Sequence, residues 1–298
     1  YSSSVTASSA STDVDGTGQD VGGRVGESYN STITDSNASG DVAATANEVG
    51  GLVGNAYGGG KTIENSFATG DVVGNGNDDV GGLVGALGNY DIKQSYATGS
   101  VDGGSSVGGL VGWARSDGVI TDSYATGAVS GSGDEVGGLV GLIPDGESVE
   151  IEASDATGSV TGTDQVGGLV GSTDAPVRQS TATGTVTGSD EVGGLVGDTT
   201  NDAFVSASSA IGAVTGTNRV GGLVGDGYQC TVTESNATGT VDGDEKVGGL
   251  IGRSTESTIT DSNASGDVAA TANDVGGLVG NATDGKRIEN SSATGAVD

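Results

Sequence analysis

Apolar positions in this chain recur on a long beat. A hexad of the pattern Val-Gly-Gly-Leu-Val-Gly begins at Val21, Val49, Val80, Val107, Val136, Val166, Val192, Val220, Val247 and Val275, with a mean period of about 28 residues. Between these copies lies a second element, Ile/Val-x-x-Ser-x-Ala-Thr/Ser-Gly-x-Val. It begins at Ile33, Ile63, Ile92, Ile120, Ile151, Val177, Val205, Val232, Ile259 and Ile288, with a degenerate copy from Val5. The hexad's apolar spacing alone would suit a helix, but three glycines in six positions would cost a helix about 1 kcal/mol each relative to alanine. The flanking β-branched residues and Gly-Asn/Ser/Thr/Asp turns predict short strands instead. Alternation in the second element puts Ser36, Ala38, Gly40 and Val42 on one face and Asn37, Ser39 and Asp41 on the other.

One such unit cannot bury a core, whereas stacked units supply layers to one another. The pattern therefore predicts an all-β fold, a parallel β-helix-like β-solenoid of about ten coils. At about 4.8 Å per coil the rod would be roughly 48 Å long. Residues 1–298 read as a single domain, with 1–26 a degenerate N-terminal capping coil and 27–298 regular coils. Arg24 in the leucine position of the first hexad and Thr12 in the glycine position of the first strand suit a polar end coil. The last strand keeps the consensus to Val297, so an open end that more chain or another subunit would cover is expected. Residues 31–56 and 257–282 differ only at Glu48/Asp274, which reads as a recent duplication.

The hexad followed by the Ser-x-Ala-Thr-Gly strand resembles the GLUG repeat family. That resemblance implies an extracellular or cell-surface β-rich array and supplies no ligand. The peptidase activity found in that group belongs to a separate His-containing metal domain. This chain has no histidine, so no catalytic residue carries over.

Composition narrows the function further. Sixty of 298 residues are glycine, and the 40 acidic residues against ten basic ones give a formal charge of −30. Without histidine the commonest general base and metal ligand are missing, so a His-based triad, a zinc protease and a zinc deaminase are excluded and the chain reads as non-enzymatic. Nucleic acid is excluded as a partner because its binding relies on Lys and Arg neutralising phosphates. No apolar run approaches the roughly 20 residues of a membrane span. Four lysines among abundant aspartates suggest a protein of molar-salt habitats, where the Debye length falls to about 3 Å. No basic leader precedes Tyr1 and there is no starting Met, which reads as a mature form or a fragment. Cys230 stands alone, with no second cysteine to pair with, and reads as an ordinary small residue near a strand start.

In a solenoid, repeat positions become columns, and function is sought there. The Thr/Ser column from Ser39 to Thr294 lacks the second, matching column that ice binding requires. Phe67, Tyr96 and Tyr124 fall on successive coils, either as a cross-coil stack or, with Trp113, as a surface for a glycan or partner chain. Tyr57, Tyr90 and Tyr228 share with Trp113 the variable segment after the hexad, where insertions often form a binding side. Acidic pairs before the hexad, Asp78-Asp79, Asp134-Glu135 and Asp190-Glu191, are the Ca²⁺ candidates, set against a merely solvated acidic edge. Arg219 and Lys246 interrupt that column, and no compact acidic cluster is expected beside a basic residue. No other cofactor is expected. Six Asn-x-Ser/Thr sequons, at Asn30, Asn37, Asn236, Asn263, Asn281 and Asn290, are candidate glycosylation sites.

The leading reading is a secreted structural repeat protein, a surface stalk, an adhesin or a filament subunit that self-associates end to end or laterally. The alternatives are a carbohydrate-binding module or degraded polysaccharide-active β-helix, and a Ca²⁺-dependent adhesive rod. If Leu52 and Val53 cannot both point inward, an outward apolar ladder would demand a partner.

Overall fold

Glycine-bounded runs of β-branched residues are too short for any element but brief strands, and such strands persist only if neighbouring coils supply their hydrogen bonds. The computed structural model, which describes residues 3–284 and 287–298, shows this arrangement. It is a β-solenoid of about ten turns with a period of about 28 residues. The coil beginning at Val25 has strands Val25–Tyr29, Ser31–Thr34, Asn37–Ala38, Val42–Ala44 and Val49–Gly50. Each pairs in parallel with its equivalent one coil on: Val25 with Val53, Ile33 with Ile63, Asn37 with Phe67, Val42 with Val72 and Val49 with Val80. In two later coils the first two strands merge into Val53–Glu64 and Val84–Lys93. Within the expected capping segment, Ser3–Thr6, Ser9–Ala10, Val14–Gly16 and Val21–Gly22 also pair in register with the following coil. Among the described residues no helix is long and apolar enough to cross a membrane.

The interior is two apolar seams. The larger packs the hexad Leu and second Val against the Ile and Ala columns, as with Leu52, Val53, Ile63 and Ala68. The smaller consists mainly of valines such as Val42 and Val49. The condition for an outward apolar ladder is not met: Leu52 and Val53 both point inward and are 0% exposed. Strict inside-outside alternation holds only within an extended strand, and here the chain bends at Gly51 and Leu52, so two adjacent side chains turn into one seam. The bend needs glycine because a Cβ on Gly51 would stand 2.2 Å from the Gly82 carbonyl oxygen and 2.8 Å from the Ala68 methyl.

The serine of the second element faces inward, as its alternation predicts. Ser36, Ser66, Ser95 and Ser123 are all buried, and the backbone N–H of each of the first three donates to the hydroxyl of the serine one coil on, in a ladder running up the rod. Tyr90, in the variable segment after the hexad, turns inward rather than toward a binding side. It is 1% exposed, and its hydroxyl accepts from the Ser31 N–H and donates to the Ser31 carbonyl, both at 2.9 Å. Cys230 is buried at the edge of Thr231–Thr233, and burial pushes its thiol pKa up.

Candidate functional site

The residue just before each hexad has left-handed backbone, with φ of 58° at Asp20, 64° at Glu48, 59° at Asp79, 57° at Glu135, 51° at Glu191 and 53° at Arg219. Asn and Asp tolerate this region better than most side chains. The resulting corner brings that residue to the one just after the hexad, seven positions on. Arg219 reaches Asp226 and Asn281 reaches Asp274 in this way, and Glu48 reaches Asn55. Two columns therefore flank the hexads along one edge of the rod, polar at most coils and interrupted after the hexad by Ala86, Trp113 and Leu142.

In the C-terminal half this edge holds a compact charged cluster, contrary to expectation. Carboxylate oxygens of Glu191, Asp198 and Asp226 lie within 4.8 Å of one another. Asp198 and Asp226 are buried. The Arg219 guanidinium pairs with Asp190, with Glu191 at 2.6 Å and with Asp226 at 3.1 Å, while Arg253 Nε donates to Asp226 at 2.9 Å. Arg219 thus sits among the carboxylates it was expected merely to interrupt. Burial and repulsion from Glu191 and Asp226 raise Asp198 to a pKa of about 7, despite Arg219 and Arg253. Burial would also raise Asp190, but its hydrogen bond and charge pairing with Arg219 hold it below the usual carboxylate range.

Midway along the rod an open groove of about 340 Å³ is lined by Asp78, Asp79, Ser106, Trp113, Glu135 and Leu142, among others. Trp113 lies in register between Ala86 and Leu142, with the Arg115 guanidinium 4.2 Å from its ring centroid. The indole N–H is buried without a partner. Burial and the Asp78 charge raise Asp79 to about 6, and burial raises Glu135.

The acidic pairs singled out from sequence do not converge as three equivalent sites. Asp78 accepts from the Ser105 backbone at 2.9 Å, Asp134 is exposed, Glu135 accepts from Ser106 at 3.2 Å, and Asp190-Glu191 is paired with Arg219. Toward the N-terminus, Glu48 contacts both Asp20 and Asn55. Burial and the hydrogen bond and charge of Asp20 raise Glu48 to about 7. Asn55, Asp198, Asp226 and Arg253 were missed in the sequence because the position after the hexad reads as variable. The signal was the recurrence of polar pairs seven apart across it.

Phe67, Tyr96 and Tyr124 stack on one another, with centroids 4.9 and 4.8 Å apart and rings within 2° of parallel. Trp113 lies apart from them, in the groove. Of the sequons, Asn236, Asn263 and Asn290 are exposed and Asn30, Asn37 and Asn281 half-buried. Asn236 and Asn263 are register partners, with the Asn263 amide donating to Asn236 at 3.3 Å.

Comparison with known proteins fits this architecture. The family model described as the GLUG motif matches residues 45–73, 76–102, 103–130, 243–269 and 271–298. Over 124 residues the chain is 45% identical to Halomucin of Haloquadratum walsbyi, an alignment covering 37% of this chain. The chain spans about 1% of the length of that relative. No solved structure matches it.

Proposed function

This chain is a GLUG-repeat protein, and from that premise we propose that it serves outside the cell as a non-catalytic structural rod. The rod acts as a surface stalk or adhesin, or as a subunit of an extracellular filament joined end to end or laterally. The observation that carries this reading is the in-register parallel pairing that runs from Ser9–Ala10 to Ser292–Ala293 through an 11-stranded stack. Such an array sets length and stiffness, because each coil contacts mainly its neighbours and repeats add without altering the design. The −30 charge favours a setting of molar salt, and the identity to Halomucin of Haloquadratum walsbyi is in keeping with a surface role there. Exposed sequons at Asn236, Asn263 and Asn290 are open to glycans.

Electron microscopy of native material in molar salt, with antibody labelling of intact cells of the source, tests this reading. Surface label with isolated rods supports a stalk or adhesin, and fibres with a regular axial repeat support a filament. Label confined to permeabilised cells overturns both.

A second reading, a carbohydrate-binding module, draws support from the Trp113 groove, where an indole ring stands among carboxylates that accept sugar hydroxyls. Glycan-array binding abolished by Trp113→Ala supports it; absence of binding to any glycan removes it.

A further inference from the structure

The near-identical blocks at residues 31–56 and 257–282 form an internal control. Glu48 and Asn55 in the first correspond to Asp274 and Asn281 in the second, and both pairs flank a hexad at the same corner. The first block also faces Asp79 of the coil that follows it, and the preceding coil differs. Next to the second block it supplies Lys246 and Arg253, with Arg253 in register with Asn281. Next to the first it supplies Asp20 and Glu27, with Glu27 in register with Asn55. The coil before this corner therefore carries two cations in one copy and two carboxylates in the other.

The first copy also has polar atoms without partners. Asn55 is only 8% exposed, yet its amide oxygen is buried with no hydrogen-bond partner, and the same is true of Oδ1 of Asp20. These two buried acceptor oxygens lie at the corner that also holds the Glu48 carboxyl, and leaving them unsatisfied is costly unless a positive group joins them. Among the described residues, no Lys or Arg forms an ion pair with Asp20, Glu48 or Asp79. In the C-terminal cluster the Arg219 guanidinium fills the equivalent place between Asp190, Glu191 and Asp226.

We infer that Asp20, Glu48 and the amide oxygen of Asn55 form a binding site for a hard divalent cation of the Ca²⁺ type, with Asp79 adding negative charge from the next coil. The donors are all oxygen, two of them carboxylates, the set that Ca²⁺ prefers, and water completes its coordination. The cation takes the role that Arg219 plays further along, bridging two coils.

The test is calorimetric titration of the full chain, stripped with a chelator and kept in molar NaCl, with CaCl₂. Asp20→Lys, which copies the Lys246 arrangement, is expected to lower the Ca²⁺ stoichiometry by one while circular dichroism stays that of the parent. Asn55→Ala is expected to weaken that site by about tenfold or more. Asp274→Asn, in the second block, is expected to leave the stoichiometry unchanged. The assignment is overturned if no Ca²⁺ is taken up at about 1 mM, the weak end of extracellular calcium modules. It is equally overturned if Asp20→Lys and Asp274→Asn alter the titration alike, because the ion is then held by the acidic surface as a whole.

Discussion

The backbone N–H of Ser66 donates to the hydroxyl of Ser95 one coil on, at 3.1 Å, and that hydroxyl donates in turn to the Lys93 carbonyl at 2.8 Å. Ser95 is 0% exposed, so neither backbone group has water as an alternative. Replacing Ser95 with Ala leaves the buried Ser66 N–H unpaired, while the Lys93 carbonyl keeps the Asn65 N–H, at a cost of about 1–3 kcal/mol. A lower midpoint in denaturant for Ser95→Ala is the expected result; an unchanged midpoint would mean the ladder contributes nothing.

Glycine columns set how closely coils approach. A Cβ on Gly127 would stand 1.8 Å from the Gly99 carbonyl oxygen, and because that atom is backbone, the coil itself must move. Gly127→Ala is expected to destabilise by more than about 3 kcal/mol, in the range of severe overpacking. Gly18 is the matched comparison, because a Cβ there would meet nothing within 4 Å. At that position Ala is expected to be neutral or stabilising by about 0.4–1 kcal/mol. Thermal melts of the two variants side by side distinguish steric crowding from a general intolerance of Ala.

The aromatic column has a structural account. Tyr96 lies between Phe67 and Tyr124, and the two stacked contacts together contribute about 1–3 kcal/mol. Tyr96→Ala should therefore lower the melting temperature while any glycan binding persists. Loss of glycan binding without loss of stability would make the column, rather than the Trp113 groove, the contact surface.

The buried acids make stability depend on pH in a definite sense. Asp198 has a folded pKa of about 7 against an ordinary value of 3.8, so between these values the folded chain binds more protons than the unfolded one. Its contribution is therefore fully present below about pH 4 and is lost as pH rises through about 7, to the extent of a few kcal/mol at most. A melting temperature that falls from pH 5 to pH 7, with the fall reduced in Asp198→Asn, is the expected outcome. An identical slope in the variant would place the effect elsewhere.

Salt acts on the whole rod. A net charge of −30 opposes compaction at low ionic strength, and at about 1 M salt the Debye length of about 3 Å removes most of that repulsion. Dialysis to millimolar salt is expected to diminish the β-sheet circular dichroism signal, and restoring NaCl should recover it. A spectrum that never changes would show that the two apolar seams outweigh the repulsion unaided.

The period of Val21 to Val275, the glycines within each hexad and the inward Ser-Ala-Gly-Val face of residues 36–42 were legible from the chain alone. They are local and repeated, so each copy reports the same layer of a stack. What only the tertiary structure decided lies at the corners. The bend at Gly51 and Leu52 turns two consecutive apolar side chains inward, which no strand alternation could foretell. The left-handed residue before each hexad brings together side chains seven apart and, through stacking, others about 28 apart. Whether a carboxylate there meets Arg219 or another carboxylate therefore depends on the neighbouring coil. Asp190 was visible as an acid in the sequence; that a guanidinium holds it, while Glu48 faces Asp20, Asn55 and the charge of Asp79, follows from which coils are adjacent, because Coulomb and hydrogen-bond energies depend on distance in space.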